Sequence, residues 1–155
     1  FACDIPLIGV STLQAMATQT RSEQTCQQVI SIMDARMNEL YVGFYAWNET
    51  NQLMLPKIDD QLCPVHASLQ QMNIPFSETL AGCGHGLKLT EQLDESILNI
   101  AQQDPSQVLK ASSLLPMANH LYDQKQVVTP EQVELVYLRE QSHWKTIKQQ
   151  KQLKK

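Results

Sequence analysis

The residues that could do chemistry are concentrated in one short segment, Gly82-Cys83-Gly84-His85-Gly86. Closely spaced glycines after a strand can let backbone N–H groups approach a phosphate or another anion. The segment matches neither the Gly-x-Gly-x-x-Gly pattern nor the phosphate-binding loop with its lysine. Cys83 and His85 are also too close in sequence to indicate, by themselves, a nucleophile and its base. The pattern therefore favours a plain turn between a strand and a helix.

The other candidate metal ligands are scattered along the chain. The histidines are His66, His85, His120 and His143, and the cysteines are Cys3, Cys26, Cys63 and Cys83. None of them has the spacing of a zinc site or of a Cys-x-x-Cys pair. We therefore predict no catalytic, cofactor-binding or metal-binding residue, and we expect the thiols to be reduced and mostly buried.

Asp34 and Arg36 form a second constellation, because residues two apart on an extended strand share one face of a sheet. Their opposite charges could then pair. A charge pair that stabilises a hairpin is favoured here over a catalytic aspartate.

Charge is distributed unevenly along the chain. Five of the twelve basic residues lie within residues 145–155, which hold no acidic residue, so the preceding part carries seven basic and sixteen acidic side chains. An acidic surface is unsuited to nucleic acid, since phosphates bind clustered lysine and arginine. Only the basic tail could contact RNA, and a solvated tail is the favoured interpretation.

The elements that would position these residues begin with a helix. Ser11 and Gln14 have the spacing of a capping box, so we predict a helix that starts at Ser11. Leu13, Met16 and Ala17 would form its buried stripe. We expect the helix to end in a polar loop over residues 18–22.

A meander of three strands should follow. Residues 29–33 and 40–47 are rich in β-branched and aromatic side chains, which favour strands. Residues 34–38 and 48–51 supply the two reversals, and residues 53–55 return as the third strand.

The second half of the chain has weaker signals. We predict a helix over residues 64–72, a strand over residues 79–82 and a further helix with Ser113 as its N-cap. Leu114, Met117, Ala118 and Leu121 would be the buried face of that helix. Thr129 should begin one helical turn that leads into an extended segment.

Length and hydropathy indicate one α/β domain. The chain has 155 residues with 43% hydrophobic content, enough for one compact core. No stretch approaches the ~18 consecutive apolar residues that cross a bilayer. We therefore expect a cytoplasmic protein.

Four stretches, in this order, resemble signatures of the bacterial TsaB (YeaZ) family. They are residues 6–13 (PLIGVSTL), residues 34–41 (DARMNELY), residues 114–118 (LLPMA), and residues 136–139 (VYLR) followed by Trp144 and Lys145. The resemblance runs from about residue 6 to residue 145 and leaves the lysine-rich tail unexplained.

The resemblance implies a ribonuclease-H-like lobe of the actin-like ATPase (ASKHA) superfamily, with a mixed sheet and flanking helices. It identifies residues 1–144 as the second lobe of a two-lobed protein whose first lobe is absent, followed by a basic flexible tail over residues 145–155. The implied function is that of a non-catalytic partner that supports TsaD, with TsaE, in making threonylcarbamoyladenosine in tRNA. No binding residue for these partners is carried over onto this sequence.

Three other expectations stay open at this point. The chain could be a nucleotide-dependent enzyme of the same superfamily, kinase-like or peptidase-like, that uses the glycines around Cys83. It could be an RNA-binding module by virtue of its lysine tail, and RNA contact could otherwise be indirect through the complex. The isolated lobe should also self-associate if its exposed apolar residues are contiguous.

Overall fold

A computed structural model describes residues 5–139 of the chain. Its strands are β1 (Gln28–Arg36), β2 (Glu39–Asn48), β3 (Leu53–Pro56), β4 (Gln61–Pro64), β5 (Leu80–Cys83) and β6 (Gln102–Asp104). Its α-helices are α1 (Thr12–Glu23), α2 (Glu95–Leu98) and α3 (Leu115–Asp123), and 3-10 helices span His85–Lys88 and Ala111–Leu114. No helix in this part of the chain is long and apolar enough to cross a membrane.

The six strands form one mixed sheet in the order β3-β2-β1-β5-β6, with β4 also paired to β2. Strands β1, β2 and β3 are antiparallel, which confirms the predicted meander. Strands β5 and β6 run parallel to β1. The strand predicted over residues 79–82 is therefore confirmed as β5.

The sheet buries side chains on both faces. Alternation along β1 sends Ile30 and Ile32 to one face and Val29 to the other, where α1 packs. Leu13, Met16 and Ala17 supply the helix side of this second layer, as predicted. A packed helix on one face of the sheet fixes where the amino end of α1 lies.

Helix α1 begins as predicted but is longer than predicted. The Ser11 side chain accepts a hydrogen bond from the Gln14 N–H at 3.4 Å, which makes Ser11 the N-cap. The predicted loop over residues 18–22 is wrong, because the helix continues to Glu23. Gln19 and Thr20 are buried with satisfied polar groups: Gln19 donates to the Val108 carbonyl at 3.0 Å and Thr20 to the Met16 carbonyl at 3.1 Å.

The helix predicted over residues 64–72 does not form. Strand β4 ends at Pro64, and turns follow. Cys63, Val65, Ala67 and Leu69 are buried while the residues between them are more exposed, a period of two that a helix cannot produce. Pairing of β4 with β2 outweighed the local helical composition.

The carboxyl-terminal part differs from prediction in detail. Helix α3 starts at Leu115 after a 3-10 helix, with Leu114 rather than Ser113 as its N-cap. The Ser113 hydroxyl instead donates to the Gln19 side chain at 3.2 Å. Of the predicted face, Met117 alone is buried and the others are half-buried.

The helical turn predicted at Thr129 is found as a single hydrogen-bonded turn outside any helix. The Gln132 N–H donates to the Thr129 carbonyl at 3.0 Å, which closes that turn. Residues 133–137 then have no regular secondary structure. The lysine tail over residues 145–155 lies outside the described residues.

Candidate functional site

A groove lies beside the amino end of α1. Its cavity volume is about 770 Å³, and it is lined by residues 9–13, Met33, Tyr41, Asp60 and residues 133–139. Four separate regions of the sequence therefore meet at this groove, which we call the α1 groove. Concave, mostly apolar surfaces of this size are common at binding sites.

A hydrogen-bonded cluster of three side chains adjoins the α1 groove, which two of them, Ser11 and Asp60, line. The Ser11 hydroxyl donates to one carboxylate oxygen of Asp60 at 2.5 Å, and the Tyr45 hydroxyl donates to the other. The Ser11 and Tyr45 oxygens lie 3.5 Å apart. Both oxygens of Asp60 thus accept a hydrogen bond within the protein.

Local sequence explains how Tyr45 reaches Asp60. Gly43 and Tyr45 lie on the same face of β2, two residues apart. A Cβ at Gly43 would come within 2.5 Å of the Tyr45 hydroxyl and 2.6 Å of an Asp60 carboxylate oxygen. Glycine is required at this position because any side chain would displace the hydrogen-bonded pair.

The electrostatics of the cluster keep Tyr45 neutral. Burial raises the pKa of the Tyr45 hydroxyl well above its ordinary value, and the hydrogen bond to Asp60 is the second largest cause of this increase. A neutral phenol remains a hydrogen-bond donor to the carboxylate at all physiological pH values. The arrangement can hold the helix end, β2 and the loop before β4 together, and both basic oxygens of Asp60 are already engaged.

We call residues 128–139 the strap; its residues 133–139 form the other wall of the α1 groove. At its start, Leu7 and Val128 exchange two backbone hydrogen bonds of 2.8 and 3.0 Å. At its end, Arg139 contacts the β1–β2 hairpin. Between these points the side chains of Leu135, Val136 and Tyr137 are 71%, 84% and 73% exposed. The strap therefore presents an apolar surface to its surroundings.

The predicted pair of Asp34 and Arg36 is confirmed. Their side chains form a salt bridge of 3.1 Å, and the Arg36 N–H donates to Asp34 at 2.7 Å. The Arg36 side chain is 85% exposed, so the ion pair contributes at most about 1 kcal/mol. Its position at the hairpin supports the structural interpretation.

The glycine segment that opened the sequence analysis is found as the predicted turn from a strand into a helix. Gly84 adopts a φ of +103°, and a Cβ there would lie 2.4 Å from the Ile32 carbonyl oxygen. A Cβ at Gly86 would lie 2.7 Å from the Ile32 side chain. These glycines let the turn pack directly against β1, and none of residues 82–86 lines the α1 groove.

Cys83 within that segment is a buried thiol. Burial raises its pKa to about 11, and its sulfur lies 3.4 Å from the Ser31 hydroxyl. Cys26 and Cys63 are likewise buried and free, as predicted, while Cys3 lies outside the described residues. Within residues 5–139, no three His, Cys, Asp or Glu side chains are grouped so that they could hold a metal ion.

Three residues at or beside the α1 groove, Asp60, Tyr45 and Arg139, were not predicted from the sequence. Asp60 and Tyr45 are joined to Ser11 across 49 and 34 residues, and no local pattern connects them. Arg139 belongs to one of the family-like stretches, but its partners lie about 100 residues earlier. The available sequence signal was the spacing of Gly43 and Tyr45, which places a glycine and a tyrosine two residues apart on one face of a predicted strand.

The topology defines the class of protein. An antiparallel meander continued by two strands parallel to β1, with α1 packed against one face, is the ribonuclease-H-like lobe of the actin-like ATPase superfamily. Two solved structures from Pseudomonas aeruginosa share this fold. YeaZ has a TM-score of 0.73 at 25% identity, over 85% of this chain and 60% of that chain.

The second Pseudomonas structure is described as an uncharacterized protein with similarity to peptidase YEAZ. Its TM-score is 0.75 at 26% identity, over 86% of this chain and 59% of that chain. Both values confirm the fold that the sequence resemblance implied.

The family follows from the sequence. Residues 1–134 match the family model described as TsaD, tRNA N6-adenosine threonylcarbamoyltransferase, and the chain belongs to this family. Two curated relatives are named tRNA threonylcarbamoyladenosine biosynthesis protein TsaB. The Haemophilus influenzae protein is 26% identical over 95% of this chain, and the Escherichia coli protein is 28% identical over 93%. Within the family the chain is thus of the TsaB (YeaZ) type.

The chain spans about three fifths of the curated relatives that it matches, or 62% of each. The family description names a transferase, whereas the relatives bear the TsaB name. The two names agree on the modified nucleoside.

Proposed function

We propose that this chain acts as a non-catalytic partner in the machinery that makes threonylcarbamoyladenosine in tRNA. In this role it supports the cytoplasmic TsaD protein, with TsaE as a further member of the assembly, and it meets tRNA only through the complex. The observation that carries the proposal is the similarity to two TsaB proteins over more than nine tenths of the chain.

The residues around the α1 groove support the partner role. Each oxygen of Asp60 accepts one hydrogen bond within the protein, from Ser11 or from Tyr45. The cluster is suited to holding the fold together, and the exposed apolar strap is suited to protein contact.

A reconstituted assay tests the proposal. Cognate TsaD and TsaE, tRNA and the remaining substrates are combined without addition, with this chain, and with this chain but without TsaD. Escherichia coli TsaB with its own TsaD and TsaE serves as the positive control. We expect modified tRNA to increase when the chain is added and to be absent without TsaD.

Two results would contradict the proposal. Modified tRNA in the arm without TsaD would make the chain itself a catalyst. If the positive control works but the chain does not increase the amount of modified tRNA, residues 1–155 do not have the supporting role.

The alternative is a nucleotide-dependent enzyme of the same superfamily, kinase-like or peptidase-like; the family description names an enzyme, a transferase, without mention of a nucleotide. Such an enzyme would hold its nucleotide within the usual Michaelis range of about 1 μM to 1 mM. Calorimetry with ATP at millimolar concentration separates the two functions. Heat of binding that is lost in a variant of the glycine segment, such as Gly86→Ala, would support the enzyme, and no heat supports the partner role.

A further inference from the structure

The tip of the β1–β2 hairpin has an unusual backbone. Arg36, Met37 and Asn38 adopt φ values of 65°, 58° and 61°, the left-handed conformation that residues with a Cβ disfavour. A two-residue hairpin turn of type I′ requires this conformation at its two central residues, here Met37 and Asn38. Arg36, the remaining residue of the three, lies at the register shift between Asp34 and Arg36. Such a run persists only where neighbouring groups hold it.

Arg139 provides that support. Its guanidinium donates to the carbonyl oxygens of Ala35 at 3.1 Å and Arg36 at 3.3 Å, and it forms an ion pair with Glu39. These three partners bracket the turn on both sides. The Arg139 side chain is only 11% exposed, so its charge needs these partners to remain buried.

The strap depends on the same contacts. Within residues 133–139, no backbone-to-backbone hydrogen bond links this part of the described chain to the rest of the protein. Leu138 packs partly against the cluster beneath α1, and the three residues before it are exposed. Side-chain contacts at Leu138 and Arg139 therefore fix the far end of the strap.

We propose that Arg139 is a latch that couples the strap to the β1–β2 hairpin. With the latch closed, the hairpin tip keeps its left-handed backbone and the strap forms one wall of the α1 groove. Release of the guanidinium frees both segments together and widens access to Ser11, Met33 and Tyr41. This inference does not depend on the proposed function.

NMR relaxation of the full chain tests the latch. Backbone order parameters are measured for the natural chain, for Arg139→Gln and for Glu39→Gln. Rigid backbone gives values of about 0.85 and mobile backbone gives values below about 0.6. We expect residues 36–39 and residues 133–138 to become mobile together in Arg139→Gln, and to a smaller extent in Glu39→Gln. Core strand residues Ile30 and Val42 should keep their rigidity.

The control is Glu23→Gln, which breaks the exposed ion pair between Glu23 and Lys110. It should leave both segments unchanged. The latch is overturned if only one segment becomes mobile, if neither does, or if the core strands loosen to the same degree. Should Arg139→Gln fail to fold, Glu39→Gln alone decides between these outcomes, because it removes the charge that holds the guanidinium in place and leaves the Arg139 side chain itself intact.

Discussion

Ser11, the N-cap of α1, donates a hydrogen bond of 2.5 Å to Asp60, which lies 49 residues further along the chain. The same serine also accepts a hydrogen bond from the Gln14 N–H, so one hydroxyl both caps the start of the helix and joins it to the loop before β4. Asp60 extends the connection to β2 through Tyr45. Three parts of the fold are thereby fixed at a single carboxylate beside the α1 groove.

Removal of that carboxylate should destabilise the protein. Asp60→Ala would leave the buried Tyr45 hydroxyl with only the Ser11 oxygen, 3.5 Å away, as an acceptor, and we expect this to lower the free energy of unfolding by roughly 1–3 kcal/mol. Urea denaturation measures the change. The matched control is Asp59→Ala, because Asp59 is the exposed neighbouring acid. Equal effects of the two substitutions would show that the cluster contributes nothing beyond general charge.

Alkaline pH should weaken the fold through Cys83. Burial raises the pKa of this thiol to about 11, above its usual value of 9.0, so the unfolded chain loses the proton first as the pH rises. The contribution to stability is complete below pH 9 and is lost between pH 9 and about 11, with a slope of at most about 1.4 kcal/mol per pH unit.

The comparison that checks this sign uses Cys83→Ala. Unfolding free energies of the natural chain and the variant are measured from pH 7 to pH 10.5. The variant should be less stable at neutral pH because of the lost packing, yet its stability should fall less steeply above pH 9. If the stabilities of the natural chain and the variant fell in parallel above pH 9, the loss of stability would come from other groups, Tyr45 among them.

The meander and the start of α1 could be predicted because their signals are local. The β-branched runs and the Ser11–Gln14 spacing each span fewer than about ten residues, and the structure has strands β1 and β2 at the runs and an N-cap at Ser11. Length and local patterns predicted only an α/β domain, and the family-like stretches predicted the more specific ribonuclease-H-like lobe. The order β3-β2-β1-β5-β6 follows from that class rather than from any single strand.

The errors arose where tertiary contacts outweighed composition. Residues 64–72 contain good helix formers, but pairing with β2 placed Cys63 and Val65 on alternate positions of a buried face. The polar residues Gln19 and Thr20 suggested a loop, yet their hydrogen bonds let them stay buried in α1. The contacts of Asp60 and Arg139 could not be predicted because their partners are distant in sequence.

Gly84 should tolerate no side chain. Gly84→Ala places a Cβ 2.4 Å from the Ile32 carbonyl oxygen in a left-handed backbone, so we expect a loss of at least about 2 kcal/mol of unfolding free energy. Gly9→Ala is the control, because nothing lies within 4 Å of a Cβ there and its expected effect is within about 0.5 kcal/mol. Chemical denaturation of both variants tests whether close packing against β1 explains the glycine segment. A tolerated Gly84→Ala would reopen the anion-binding interpretation.

The apolar strap should make the isolated chain self-associate. Leu135, Val136 and Tyr137 are adjacent in sequence and mostly exposed, and contiguous apolar surface favours contact between copies. We expect the apparent mass in light scattering to rise with concentration, and Val136→Lys to lower it at every concentration. Val108→Lys is the matched control, since Val108 is 77% exposed but lies outside the strap. A mass that stays monomeric throughout, or an equal effect of both lysines, would separate the strap from any role in self-association.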